Sequence, residues 1–132
     1  MKESIKVNAS ILPDQPADVF MPNCPSRVLL DHVTSRWGVL VLVALSDGTM
    51  RWGEIRRRLQ GVTEKMLAQT LHTLEADGLV LREAHPVIPP RVDYELTELG
   101  RSLGEAFCGV WIWVEEHSDE IERARVAFKD RE

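Results

Sequence analysis

Residues 64–81, EKMLAQTLHTLEADGLVL, constrain the fold more than any other stretch of this chain. Leu67, Leu71 and Leu74 recur at the spacing of a single buried helical stripe. Asp77-Gly78 stops that helix, and an apolar strand signal begins at Leu79. Upstream, Trp52, Ile55 and Leu59 repeat at helical spacing, Gly61 interrupts them, and Thr63 is placed to cap the next helix. The predicted order is helix, tight turn, helix, strand.

The flanking segments extend the pattern. Residues 79–83 and 92–96 read as two apolar-rich strands. Between them, HPVIPPR holds Pro86, Pro89 and Pro90, which forbid a long sheet and stiffen a protruding hairpin. A hairpin beside a helix–turn–helix is a wing. Thr49 and Met50 are candidates for a further short strand. Val28, Leu29 and Val33 mark a first short helix after Pro25-Ser26. Ser35 starts a second, through Trp37, Leu40, Val41, Ala44 and Leu45, apolar nearly all round and therefore central, ended by Asp47-Gly48.

Thr97 caps the last long helix, LGRSLGEAFCGVWIWVEEH. Its apolar face, which includes Phe107, Val110, Trp111 and Val114, is wider than one small domain needs. Those four residues are the expected homodimer interface. The expected fold is mainly α with a small β-hairpin wing, a winged helix–turn–helix dimerising through terminal helices. Residues 1–23 read as a flexible arm, 24–117 as the winged domain with its dimerisation helix, and 118–132 as a C-terminal helix or tail.

Charge supports a nucleic-acid partner only locally. The chain carries a net −5. Residues 51–91 hold seven basic against five acidic side chains, whereas residues 92–132 hold five against eleven. The helix–turn–helix and hairpin are thus the positive part. With the leucine stripe inward, the second helix exposes Thr63, Lys65, Gln69, Thr70, His72 and Thr73. Such groups read base edges: Gln pairs with adenine, Lys with guanine, and Thr donates, accepts or touches a thymine methyl. Arg91 on the hairpin and Arg51 at the first helix are candidates for phosphate or minor-groove contact. The expected partner is a double-stranded DNA operator with inverted half-sites.

Other classes find less support. His32, His72, His85 and His117 are scattered without ligand spacing, and no Gly-rich phosphate loop occurs. No metal site, cofactor or enzymatic activity is expected. There is no signal-peptide pattern and no apolar run of membrane-spanning length, so the expected location is cytoplasmic.

The segments CP, WGVLVL, RWGEIRRRLQGVTEKMLAQTLHTLEADGLVLR and IPPRVDYELTELG, with a Trp-containing last helix, resemble the HxlR-type winged-helix regulators, relatives of the MarR type. The resemblance spans Cys24 to about His117 and implies a homodimeric repressor or activator. The chain departs from the family pattern in Ser35-Arg36 before the Trp37 helix and in Thr63-Glu64 at the reading helix. A carboxylate there suits the helix dipole and repels phosphate. Some family members sense quinones, aldehydes or oxidants through a cysteine near Cys24. The resemblance thus makes Cys24 the candidate redox sensor and Cys108 of the other subunit its possible disulfide partner. Two alternatives stay open. One is a regulator switched by a small apolar ligand at the dimer interface, near Trp37, Trp52, Trp111 and Trp113. The other is a winged-helix module that binds protein and not DNA.

Overall fold

The computed structural model describes residues 20–132. The chain divides into two compact units, one ending at Asp31 and one running from His32 to Glu132. Most of the expected arm, residues 1–19, lies outside the described residues. In chain order the elements are α1 (Pro25–Val33), α2 (Arg36–Leu45), β1 (Met50–Arg51), α3 (Trp52–Arg58), α4 (Glu64–Ala76), β2 (Val80–His85), β3 (Arg91–Leu96) and α5 (Glu98–Asp130).

Helix α2 is the central element, as its composition requires. Ser35 Oγ caps it by accepting from the Gly38 amide at 3.1 Å, and Trp37, Val41, Leu42, Ala44 and Leu45 are buried. The stripe Leu67, Leu71 and Leu74 packs into the same core with Ile55, Val80 and Leu96. Each such fully buried apolar side chain contributes about 1.5–3 kcal/mol relative to exposure. Among the described residues no polar or charged side chain is buried in this core.

The sheet has three antiparallel strands in the order β1-β3-β2. The β2–β3 hairpin pairs from Val80↔Leu96 to His85↔Arg91. The two-residue β1 adds Met50↔Tyr94 and Arg51↔Asp93 on the other side of β3. The fold is therefore the expected mainly helical winged type. Pairing of β1 ties the start of α3 to the hairpin.

Helix α5 rests on this core through two buried glycines, with Leu103 and Phe107 packed partly against it. Of its 33 residues, only Gly100 and Gly104 are buried. A Cβ at Gly100 would overlap the Leu79 carbonyl oxygen, and one at Gly104 would lie 2.8 Å from Ser46 Oγ. Glycine at these positions lets the helix backbone rest directly on its neighbours. The start of α5 is fixed by Thr97, whose Oγ1 accepts from the Gly100 amide at 2.9 Å and donates to the Gly78 carbonyl at 2.8 Å. The helix runs through residue 118 to Asp130 without a break, so the segment expected as a C-terminal helix or tail continues α5. Among the described residues no single helix is long and apolar enough to cross a membrane.

Candidate nucleic-acid interface

Helices α3 and α4 are joined by a five-residue turn at positions 59–63. Gly61 adopts φ +94°, a conformation that favours glycine, and the buried Val62 donates its amide to the Leu59 carbonyl at 3.2 Å. Thr63 then caps α4 by accepting from the Met66 amide at 3.1 Å. At the far end Gly78, φ +78°, reverses the chain, and the Leu79 amide returns to the Leu74 carbonyl at 3.0 Å. His32 Nδ1 lies 2.8 Å from Oδ2 of Asp77, the residue that ends α4.

Thr63, Lys65, Gln69 and His72 are exposed, as a reading surface requires. Thr70 and Thr73 are half-buried, because they flank the leucine stripe. Three apolar residues share the exposed side, Met66, Ala68 and Ala76. They carry no hydrogen-bonding group, yet apolar atoms also touch thymine methyls.

The arginines are less available than their number implies. Arg56 Nη1 bonds Glu64 Oε2 at 2.9 Å, and Arg58 Nη2 bonds Asp47 Oδ2 at 3.2 Å. The first pair offsets the acidic start of α4 and links both helices of the motif. Arg57 makes no ion pair among the described residues. Arg51 is exposed and precedes α3, with its amide donating to Glu54 Oε1 at 2.8 Å.

On the wing, Arg91 is held by its own strand. Its Nε and Nη2 donate to the two oxygens of Asp93 at 3.2 and 3.0 Å. His85 Nε2 lies 3.1 Å from Asp93 Oδ2. The Arg91 hydrogen bond holds the Asp93 carboxyl below its ordinary range, burial opposes the shift, and His85 adds to it. Asp93 in turn raises Arg91. Alternation along β3 puts residues 91 and 93 on one face, but their mutual capture depends on rotamers that no sequence pattern prints. Beyond this cluster the wing tip, residues 86–90, is uncharged, and Ile88 is 99% exposed.

Residues 32–122 match the HxlR-like helix-turn-helix family. The chain belongs to the HxlR-like family. It is 51% identical over 104 residues to the uncharacterized HTH-type transcriptional regulator YtfH of Escherichia coli strain K12, covering 79% of this chain and 82% of that one. Among solved structures, the putative transcriptional regulator ytfH from Salmonella typhimurium is 48% identical with a TM-score of 0.78, covering 83% of this chain and 97% of that one. The redox regulator HypR in its oxidized form is 38% identical with a TM-score of 0.65, covering 70% and 96%. The chain is thus a helix–turn–helix transcriptional regulator of the HxlR-like, MarR-related type.

In this HxlR-like chain the remaining site residues lie off the reading surface. Val110, Trp111 and Val114 are exposed on α5, followed by Ile121, Val126 and Phe128, while Phe107 packs partly against the core. Trp113 stacks on His117 with ring centroids 4.3 Å apart. Trp37 and Trp52 belong to or pack on the core, which leaves Trp111 and Trp113 as the solvent-facing pair. A shallow cavity of about 190 Å³ lies between Leu40, Val43, Ala44, Leu59, Arg58 and Trp111. Cys24 immediately precedes α1 and is 6% exposed, and Cys108 is half-buried on α5. Among the described residues no group of His, Cys, Asp and Glu is arranged to hold a metal ion.

Proposed function

We propose that this HxlR-like regulator binds a double-stranded DNA operator as a homodimer, with α4 of each protomer in the major groove of an inverted half-site. The observation that carries the reading is the exposed row Thr63, Lys65, Gln69 and His72 on a helix capped at both ends and pinned in place. Half-sites read this way lie about one helical turn, roughly 34–36 Å, apart or a multiple of that. Support for the dimer comes from α5. Its exposed apolar side chains Val110, Trp111, Val114, Ile121 and Phe128 need a partner, and a second copy supplies the same surface in return. The protein acts in the cytoplasm, without enzymatic activity or cofactor.

The regulator is switched by thiol chemistry at Cys24, a reading supported by likeness to the redox regulator HypR. Oxidation joins Cys24 to Cys108 of the partner subunit, releasing two protons and two electrons to the oxidant. Because Cys24 is buried, the oxidant reaches it through local opening ahead of α1. The second reading, an apolar ligand as the inducer, is favoured by the cavity beside Trp111.

The test is a mobility shift on the chain's own upstream DNA at two salt concentrations, with and without diamide, for wild type and Cys24→Ser. A salt-sensitive specific shift that responds to diamide only in wild type is expected. A specific shift with equal responses removes Cys24 and directs attention to the cavity. Absence of any specific shift, together with capture of a protein partner, replaces the DNA reading by a protein-binding module.

A further inference from the structure

We propose that Glu64, held by Arg56, makes this regulator select cytosine at one position in each half-site, chiefly by rejecting the other bases. The proposal rests on the operator-binding reading above and names the base that one side chain of α4 reads.

Glu64 is the first residue of α4, directly after the cap Thr63. In a helix–turn–helix the first residues of the second helix meet the base edges. The Glu64 side chain is 69% exposed, yet its direction is fixed from the other helix of the motif: Arg56 Nη1, on α3, donates to Oε2 at 2.9 Å. Oε1 accepts no hydrogen bond among the described residues. The turn is thus spanned by a pair that occupies one carboxylate oxygen and presents the other. An exposed ion pair of this kind adds little to folding stability. A carboxylate on a DNA-reading surface also weakens binding, because phosphates repel it. What such a group supplies is discrimination.

The chemistry selects the base. From Glu64 to Thr70, Glu64 is the only anionic side chain, and it accepts hydrogen bonds with nothing to donate. In the major groove guanine presents the acceptors N7 and O6, thymine the acceptor O4, and adenine an acceptor beside its amine. Cytosine presents only the N4 amine, a donor. A fixed carboxylate therefore meets opposing lone pairs at guanine and thymine, a mixed edge at adenine and a matching edge at cytosine. Lys65 and Gln69 carry donors and suit guanine and adenine, so they do not duplicate this preference.

The experiment uses the full chain, wild type and Glu64→Gln, each selecting from random duplex DNA. Anisotropy at low salt then compares the selected operator with duplexes altered at single positions. Glutamine keeps the shape and one accepting oxygen but adds an amide donor, so it tolerates bases that the carboxylate rejects. Wild type should select a cytosine at one position in each half-site and disfavour guanine or thymine there about ten-fold or more, the discrimination of one good base contact. Glu64→Gln should bind the cytosine operator a few-fold tighter and the guanine and thymine duplexes far tighter still. Its preference at that position should fall to within about three-fold, with every other position keeping its wild-type preference. Matched melting curves check that both proteins fold alike. Unchanged discrimination at every position overturns the assignment. An even loss across all positions does the same, since it marks a general charge effect, as does a loss confined to a position where wild type prefers another base. In each of those cases the operator reading stands and only the role of Glu64 falls. If wild type selects no duplex, both fall together.

Discussion

Replacing Gly100 by alanine should destabilise the protein, against the usual direction for a helix interior. Alanine in place of glycine in an exposed helix gains about 0.5–1 kcal/mol. At Gly100 the added methyl would overlap the Leu79 carbonyl oxygen and lie 3.0 Å from that carbonyl's carbon and 3.3 Å from Leu96 Cδ2. The obstruction is backbone, so it cannot rotate away. Relief requires lifting α5, which loosens the Thr97 amide bond to the Leu79 carbonyl (3.0 Å) and the Thr97 hydroxyl bond to the Gly78 carbonyl (2.8 Å). Overpacking costs about 1–3 kcal/mol and each weakened hydrogen bond about 1, offset by about 1 of helix propensity. The net loss is about 2–4 kcal/mol, or roughly 10 °C in Tm for a chain of this size. Gly109 is the control, since a Cβ there meets nothing within 4 Å, and Gly109→Ala should gain up to about 1 kcal/mol. Urea and thermal unfolding followed by circular dichroism, at one fixed protomer concentration, read both variants. A Gly100→Ala protein as stable as wild type would refute direct backbone seating of α5.

Thr63→Ala removes the cap on the Met66 amide and should cost about 1 kcal/mol in urea unfolding, whereas Thr97→Ala, losing a cap and a bond to Gly78, should cost about twice that. Glu64→Gln should tighten operator binding a few-fold at low salt and less at high salt, measured by anisotropy, because it removes a carboxylate at the start of the reading helix. Asp93 is held low by Arg91, so its contribution is complete above the ordinary carboxylate value of about 4 and is lost as pH falls through its depressed folded value. Backbone amide shifts of β3 should therefore titrate in acid in wild type and stay flat over that range in Asp93→Asn. Val114→Glu places a charge in the exposed apolar row of α5 and should shift the proposed dimer to monomer by sedimentation, with folding retained because the residue faces solvent.

The features legible in the sequence are those set by local rules. Thr63 and Thr97 cap because a short hydroxyl ahead of an apolar period can reach the free amides. Gly48, Gly61 and Gly78 all take positive φ where breaks were expected. The stripe Leu67, Leu71 and Leu74 buries as its spacing requires. Features set by distant partners or by side-chain rotamers were not legible. The pairing of β1 with β3 joins residues more than forty positions apart through two residues of strand. The bond of Arg91 to Asp93 turns an expected phosphate or minor-groove contact into an internal partner, and Arg56 is likewise taken up by Glu64. Thr70 and Thr73 were expected on the open face, but a helix sunk by three leucines also half-covers its flanks. The continuity of α5 through residue 118 was not legible, because its charged last third lacks a strong apolar period.

A rod held near one end converts small rotations into large displacements. From Gly104 to Asp130, α5 extends about 39 Å at 1.5 Å per residue. A tilt of about 5° at the glycine seat sweeps the far end through about 3 Å, close to the rise of one base pair. Any event that reshapes the seat against Leu79 and Ser46 is thereby geared to the separation of whatever the far end carries. The two small glycines set an angle, and the angle sets a distance on the scale at which DNA is counted.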